Sequence, residues 1–240
     1  PFEIGNLNNL VTLSFSNNEL NGNLPSNIEN LKNLEELYLD NNSLTGLIPE
    51  GISDLDKLEI LDLSENKFGG QIPWVSDLIN LVSLDLSSNY FTSQIPTEIE
   101  NLIDLEFLNL QSNYLNNLLP DGIVKLDKLK ILDISDNNIT GEILPNINLL
   151  DSLLVLDIGK NKFSGLIPDE ICDFNINISL GDNYLCPPYP DCLSSSDIGS
   201  QDHNDCFDAD DEGVIELWGN YYSIEYTIEL NLSGLSGEIP

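Results

Sequence analysis

Carboxylates at a regular step are the first chemistry this sequence offers. Ser14, Tyr38, Asp62, Asp85, Asn109, Asp133, Asp157 and Ser179 hold one position between the apolar residues of successive Leu-x-Leu-type pairs. On neighbouring parallel strands such side chains stand ~4.8 Å apart, an acidic stripe suited to a cationic ligand or to Ca²⁺. A plain run of Leu-Asp-Leu-Ser repeats would produce the same stripe with no ligand at all. An acid–base pair needs environments that push two carboxyl pKa values apart, and a regular row offers near-identical ones. His203 is the lone histidine and sits in a polar stretch, so no nucleophile with its base and oxyanion donors can be assembled. The sequence therefore reads as a protein without catalysis and without a cofactor.

A second row lies one residue ahead of each pair. Ile60, Phe107, Ile131 and Val155 occupy it. With Tyr38 they are expected to lie exposed on the same face as the acids, and exposed apolar rows mark interaction sites. This row and its acidic neighbours are the binding candidates.

Metal chemistry has little to work with. Asp208, Asp210, Glu212 and Gly213 echo the start of a calcium loop, with acids at positions 1, 3 and 5 and glycine at 6. Position 12 falls on Gly219 and lacks the closing glutamate. Cys172, Cys186, Cys192 and Cys206 contain no CxxC pair; as an even local cluster they predict a disulfide-stapled cap in an oxidising compartment. Two pairings suggest themselves. Cys186–Cys192 would close a short proline-stiffened loop and leave Cys172–Cys206. Cys172–Cys192 would join residues about one coil apart and leave Cys186–Cys206. The sequons at Asn41, Asn138, Asn177 and Asn231 are about as many as this asparagine-rich composition gives by chance.

The elements that position these residues come from a repeat. Leu31, Leu34, Leu37, Leu39, Asn42, Leu44, Gly46, Ile48 and Pro49 fill the pattern L-x-x-L-x-x-L-x-L-x-x-N-x-L-x-G-x-I-P. Opening leucines recur at Leu7, Leu31, Leu55, Leu78, Leu102, Leu126 and Leu150, a step of 24 residues and once 23. The Leu-x-Leu alternation describes a short strand with one buried face. The gain from about seven inward apolar side chains per coil, at ~1.5–3 kcal/mol each, is offset by chain entropy at ~1–2 kcal/mol per residue. Coils must therefore stack to be stable. Asn18, Asn42, Asn66, Asn89, Asn113, Asn137, Asn161 and Asn183 keep one place in each coil. There an amide can satisfy main-chain groups where the chain leaves the sheet.

The L-x-G-x-I-P tail resembles the plant-type leucine-rich-repeat family, known from plant receptor ectodomains, polygalacturonase inhibitors and bacterial surface proteins. The resemblance covers residues 1–192 and resumes near 228. It implies an α/β fold: a right-handed solenoid with a parallel concave β-sheet and a convex side of extended and 3₁₀ segments. It also favours the short Cys186–Cys192 loop, which plant-type caps carry. Ser93 and Asn117 stand where the pattern has glycine, and Ile143-Leu144-Pro145 inserts a residue; these departures touch the convex side.

Residues 1–192 read as the array with a degenerate last coil, 193–213 as an acidic, serine-rich linker, and 214–240 as the cap and first repeat of a second array, with Trp218 as a lid. Pro1 and Pro240 share the Ile-Pro phase, which suggests a piece of a longer chain. A composition rich in Asn and Ile without arginine suggests a low-GC microbial source. The formal net charge of −33 excludes nucleic acid, which requires a basic footprint, and an anionic membrane surface. No apolar run reaches the length of a membrane span. The expected function is an extracellular or cell-surface recognition module that takes a protein or glycan on its concave face. The alternative is a structural spacer.

Overall fold

The computed structural model describes residues 1–203, 206, 214–217 and 220–223. Two eight-stranded parallel sheets run its length. The first, concave sheet is built from three-residue strands such as Thr12–Ser14, Ile60–Asp62, Phe107–Asn109, Ile131–Asp133 and Val155–Asp157. Its strands are centred on Leu13, Leu37, Leu61, Leu84, Leu108, Leu132 and Leu156, as the repeat predicts, and each pairs with its equivalent one coil away. The second sheet follows the ladder asparagines, with strands such as Lys67–Gly70, Tyr90–Ser93 and Tyr114–Leu118. A 3₁₀ turn then returns the chain, usually just after the Ile-Pro step, as at Glu50–Asp54 after Pro49. Proline fixes φ and holds the preceding residue extended, so the second strand ends there.

Between the sheets the core is dry. Leu37, Leu61, Leu84, Leu108 and Leu132 are fully buried, and Phe68, Phe91 and Phe163 fill the wider side. At the first coil Leu7, Val11, Phe15 and Leu20 are exposed.

The asparagines form the ladder that their spacing predicts. Asn113 Nδ2 donates to the carbonyls of Leu86, Leu110 and Gln111 at 2.9, 3.2 and 3.1 Å, and its Oδ1 accepts from Phe91 N at 3.0 Å. The same set recurs at Asn66, Asn89, Asn137 and Asn161. One amide thus ties its own turn and the coil before it. The ladder also holds strain. The residue before it has positive φ in every coil, from Asn17 through Glu65, Ser88, Ser112 and Asp136 to Asp182, a region costly for side-chain-bearing residues. A second left-handed position falls on the glycine of the tail. Ser93 (φ 75°) and Asn117 (φ 67°) adopt there the conformation of Gly46 (φ 85°) and Gly70 (φ 84°), so the departures leave the coil intact.

The C-terminal end differs from the sequence reading in two ways. The ladder continues beyond residue 192 into the stretch expected to be linker. Gln201 Oε1 accepts from Leu185 N at 3.1 Å, and its Nε2 donates to the carbonyls of Leu180 and Ile198 at 2.9 and 2.6 Å. Gln201 is therefore a ninth rung, reached by a coil shortened through the helix Ser195–Ile198, whose capping box joins Ser194 and Asp197. The disulfides are Cys172–Cys192 and Cys186–Cys206, not the short loop favoured by the family resemblance. Each spans 20 residues, with Cα atoms 5.6 and 5.2 Å apart. One-coil spacing brings the partners side by side within the range a disulfide can bridge. His203 is also part of this cap: Tyr189 Oη donates to Leu185 O at 3.0 Å and lies 2.6 Å from His203 Nε2. Strands Val214–Leu217 and Asn220–Ser223 pair antiparallel. Trp218, Asp208, Asp210, Glu212 and residues 224–240 lie outside the described residues, and with them the calcium loop and most of the second array.

Two outcomes follow. Asn113→Ala removes a buried amide and leaves Phe91 N–H unpaired, while Leu86 C=O keeps the Asn89 amide; urea unfolding should show a loss of about 1–3 kcal/mol for the orphaned group, above that of Asn18→Ala at an exposed position. Thiol alkylation of the denatured, unreduced protein should label none of the four cysteines. Under mild reduction of the native fold, exposed Cys172 and Cys192 should label before buried Cys186 and Cys206.

Candidate ligand-binding face

The ten predicted binding residues lie on one surface, the outer face of the concave sheet. Residues on either side of the central leucine point away from the core, because side chains alternate along a strand. Tyr38, Asp62, Asp85, Asn109, Asp133 and Asp157 therefore form one row in register. Ile60, Phe107, Ile131 and Val155 lie in the parallel row. All ten are half-buried rather than exposed, since close-set neighbours on adjacent strands cover their flanks.

The apolar row is not continuous. Ser83 stands between Ile60 and Phe107. Phe107, Ile131 and Val155 are direct neighbours, and exposed Leu154 flanks them. The apolar centre thus belongs to the C-terminal half of the face, and Ile60 stands apart with Tyr38 and Asp62.

The acidic row has a structural task as well. Asp133 Oδ1 accepts from Ser135 N at 3.0 Å and from Ser135 Oγ at 2.6 Å. Asp62 does the same with Ser64, and Asp85 with Ser87. Asp157 accepts from Gly159 N, and Asn109 accepts from Gln111 N. These aspartates hold the turn after the strand with one oxygen. In Asp85 the second oxygen accepts from Asn109 Nδ2 at 3.0 Å. Burial pushes the carboxyls of Asp62 and Asp133 up; bonds from Ser64 and Ser135 oppose this, while Asp85 and Asp40 add to it for Asp62, and Asp157 and Asp85 for Asp133. Burial also raises Tyr38, with Glu36 and Asp62 reinforcing it. Among the described residues no group of three or more His, Cys, Asp or Glu side chains is arranged to hold a metal ion.

Sequence reasoning passed over the rail beside this face. Lys128 pairs with Asp104 and Lys130 with Glu106, both at 2.6 Å, each pair bridging adjacent coils. Lys128, Asp104 and Glu106 line, with Glu35, Lys57 and Glu59, a trough of about 500 Å³ along the sheet. The signal was available: nearly half the chain's lysines follow the second leucine of a repeat or precede it closely, where side chains meet one coil apart.

Models of the leucine-rich-repeat family match residues 8–68 and 74–140, and a further one matches residues 152–174. The chain belongs to the leucine-rich-repeat family. Among solved structures, this leucine-rich-repeat chain is similar to the plant peptide hormone receptor RGFR1 in complex with RGF2, at 34% identity and TM-score 0.75 over 78% of the chain and 30% of the receptor. It is similar also to the ectodomain of the Arabidopsis receptor kinase HAESA in complex with an N-terminally extended IDA peptide hormone, at 31% identity and TM-score 0.76 over 79% and 32%. A leucine-rich-repeat protein of Leptospira interrogans aligns at 34% identity and TM-score 0.64 over 78% and 47%. The chain thus spans about a third of the receptor ectodomains it matches. None of the curated proteins compared with it matches.

The raised carboxyls make a pH prediction. A folded-state pKa above the unfolded value means the native state takes up its proton first, so stability from this source is full below the unfolded pKa near 3.8 and is lost as pH rises through the folded value. Asp133→Asn keeps an acceptor for Ser135 and removes the charge. At pH 7 and low salt it should raise Tm by about 1–3 °C, a small effect because solvent screens a half-exposed group. The gain should vanish below the unfolded pKa and shrink in 1 M salt.

Proposed function

We propose that this leucine-rich-repeat module acts outside the cell and binds a peptide or protein on its concave face, centred on Phe107, Ile131 and Val155. One observation carries the reading: three apolar side chains adjoin in register, with exposed Leu154 beside them. Interfaces concentrate their energy in such a centre, with a charged rim around it. Here Asp133, Asp157 and the Lys130–Glu106 pair form the rim and favour a ligand segment that combines an apolar anchor with a basic residue.

Two of the similar plant structures hold peptide hormones, which supports the peptide class. Two disulfides support an oxidising compartment, and no helix among the described residues is long and apolar enough to cross a membrane. Binding without catalysis fits the face. Its carboxylates are committed to turns, and they repeat in like surroundings. A spacer would have no reason to vary these positions from coil to coil, and they run from Tyr38 through Ser83 to Phe107.

Peptides selected against the protein by display provide the test. Phe107→Ala should weaken a selected peptide by about fivefold or more, equal to ~1 kcal/mol, while leaving Tm within a few degrees. Charge reversal at Asp133 should slow association and flatten its salt dependence. If selected peptides bind Phe107→Ala and the reversed variant as they bind the native protein, while Lys67→Glu on the opposite face abolishes binding, the concave site is wrong.

A further inference from the structure

A different edge of the solenoid carries a second set of features. From the second coil on, the residue after each ladder asparagine opens a strand of the second sheet, and none of these residues is buried. In most coils it is polar: Glu19, Ser43, Lys67, Asn138 and Lys162. In three coils it is tyrosine: Tyr90, Tyr114 and Tyr184. A cleft is present wherever the tyrosines stand. Tyr90 and Tyr114 wall one of about 280 Å³ with Ser88, Ser112 and Asp136. Tyr184 walls another of about 280 Å³ with Asp182, Ser200 and Asp202. The two have the same construction. Ladder residues (Asn89 and Asn113 in one, Asn161, Asn183 and Gln201 in the other) make the floor, and turn residues make the rim.

The ladder amides in the floor are occupied with main-chain partners, so the recognition groups are those of the rim and the rings. Tyr90 and Tyr114 stack with centroids 6.0 Å apart and planes 29° from parallel. They are 50% and 53% exposed. Neither hydroxyl has a hydrogen-bond partner among the described residues, nor does Ser88 Oγ. Asp136 Oδ2 accepts from Ser112 Oγ at 2.9 Å, which orients the carboxylate and leaves its other oxygen at the rim. The cleft therefore offers flat aromatic surface beside a fringe of hydroxyls and a carboxylate. Tyrosine supplies both an apolar body and a polar tip.

We propose that these two clefts are carbohydrate-binding subsites that take the pyranose rings of one neutral oligosaccharide lying along the turn edge. A pyranose has an apolar C–H face for the rings and equatorial hydroxyls for the rim. Three coils separate Tyr114 from Tyr184, roughly 14 Å at the strand spacing, a span that one oligosaccharide of several rings covers. Other classes fit less well. A polyanionic glycan is opposed by Asp136, Asp182 and a net charge of −33. A protein interface needs a dry apolar core, and these clefts have no aliphatic lining. A basic peptide would use the carboxylates and leave the hydroxyls idle.

The full chain is tested on immobilised neutral oligosaccharides, namely cello-, laminari-, manno- and chito-oligomers, with heparin and oligolysine as comparison arms. At least one neutral oligosaccharide should bind with Kd below about 1 mM. The triple variant Tyr90→Ala, Tyr114→Ala, Tyr184→Ala should lose at least tenfold, Tyr114→Trp should keep binding, and Phe107→Ala should be unaffected. The last arm separates this site from the concave face. Should the triple variant lose its native circular dichroism, Tyr114→Ser alone should still weaken the same oligosaccharide about threefold or more. No neutral oligosaccharide bound, binding by heparin or oligolysine alone, or native affinity in the folded tyrosine variants overturns the proposal.

Discussion

The amide of each ladder asparagine is the interaction on which the rest of the solenoid depends. It sits where the chain leaves the concave sheet, at a turn too tight for main-chain groups to satisfy one another. One carboxamide meets up to three carbonyls and one N–H, drawn from two coils. Buried backbone groups without partners would be costly, so no apolar residue can take this place. The left-handed residue just before each rung is held by the same bonds. Left-handed backbone thus falls at fixed positions of the coil, before the rung and at the glycine of the tail, and the strands between are free to be regular.

Regular strands make a surface whose chemistry can vary without changing the fold. Residues flanking each central leucine carry little of the packing, while the leucine itself is fully buried. Phe107, Ile131 and Val155 can therefore sit together on the concave face, and tyrosines can cluster on the turn edge, at small cost to the stack. The aspartates show how far that freedom is limited. Each gives one oxygen to the turn behind it, so the acidic row is partly the solenoid's own structure. Burial, with neighbouring carboxylates adding to it, raises Asp62 and Asp133, a mild destabilisation that the core absorbs.

The cap resolves the opposite problem. A coil end without a cap would expose apolar surface. At the last coils the sequence gives up the repeat but keeps its bonds. Gln201 completes the ladder with one more methylene than asparagine, and two disulfides fasten successive turns where leucines run out.

Sequence alone determined the coil path. Leucines at a 24-residue step and the asparagine that follows each pair place the strand centres and the ladder, because each coil repeats the same local rule and touches only its neighbours. The faces followed as well, since alternation along a strand decides which side chain looks outward. Tertiary structure alone decided the rest. The repeat step already put Ser83 between Ile60 and Phe107, but only the structure showed the row's side chains half-buried rather than exposed. The cystine pairing depended on the path of a proline-rich loop that follows no repeat. Gln201 stands 18 residues after Asn183, off the period, and nothing in its type marks a rung. Tyr90, Tyr114 and Tyr184 look like scattered surface residues until stacking brings each beside the turn of the next coil. Local periodicity is written in residue spacing, whereas a site is made by residues far apart in the chain, and the fold is what brings them together.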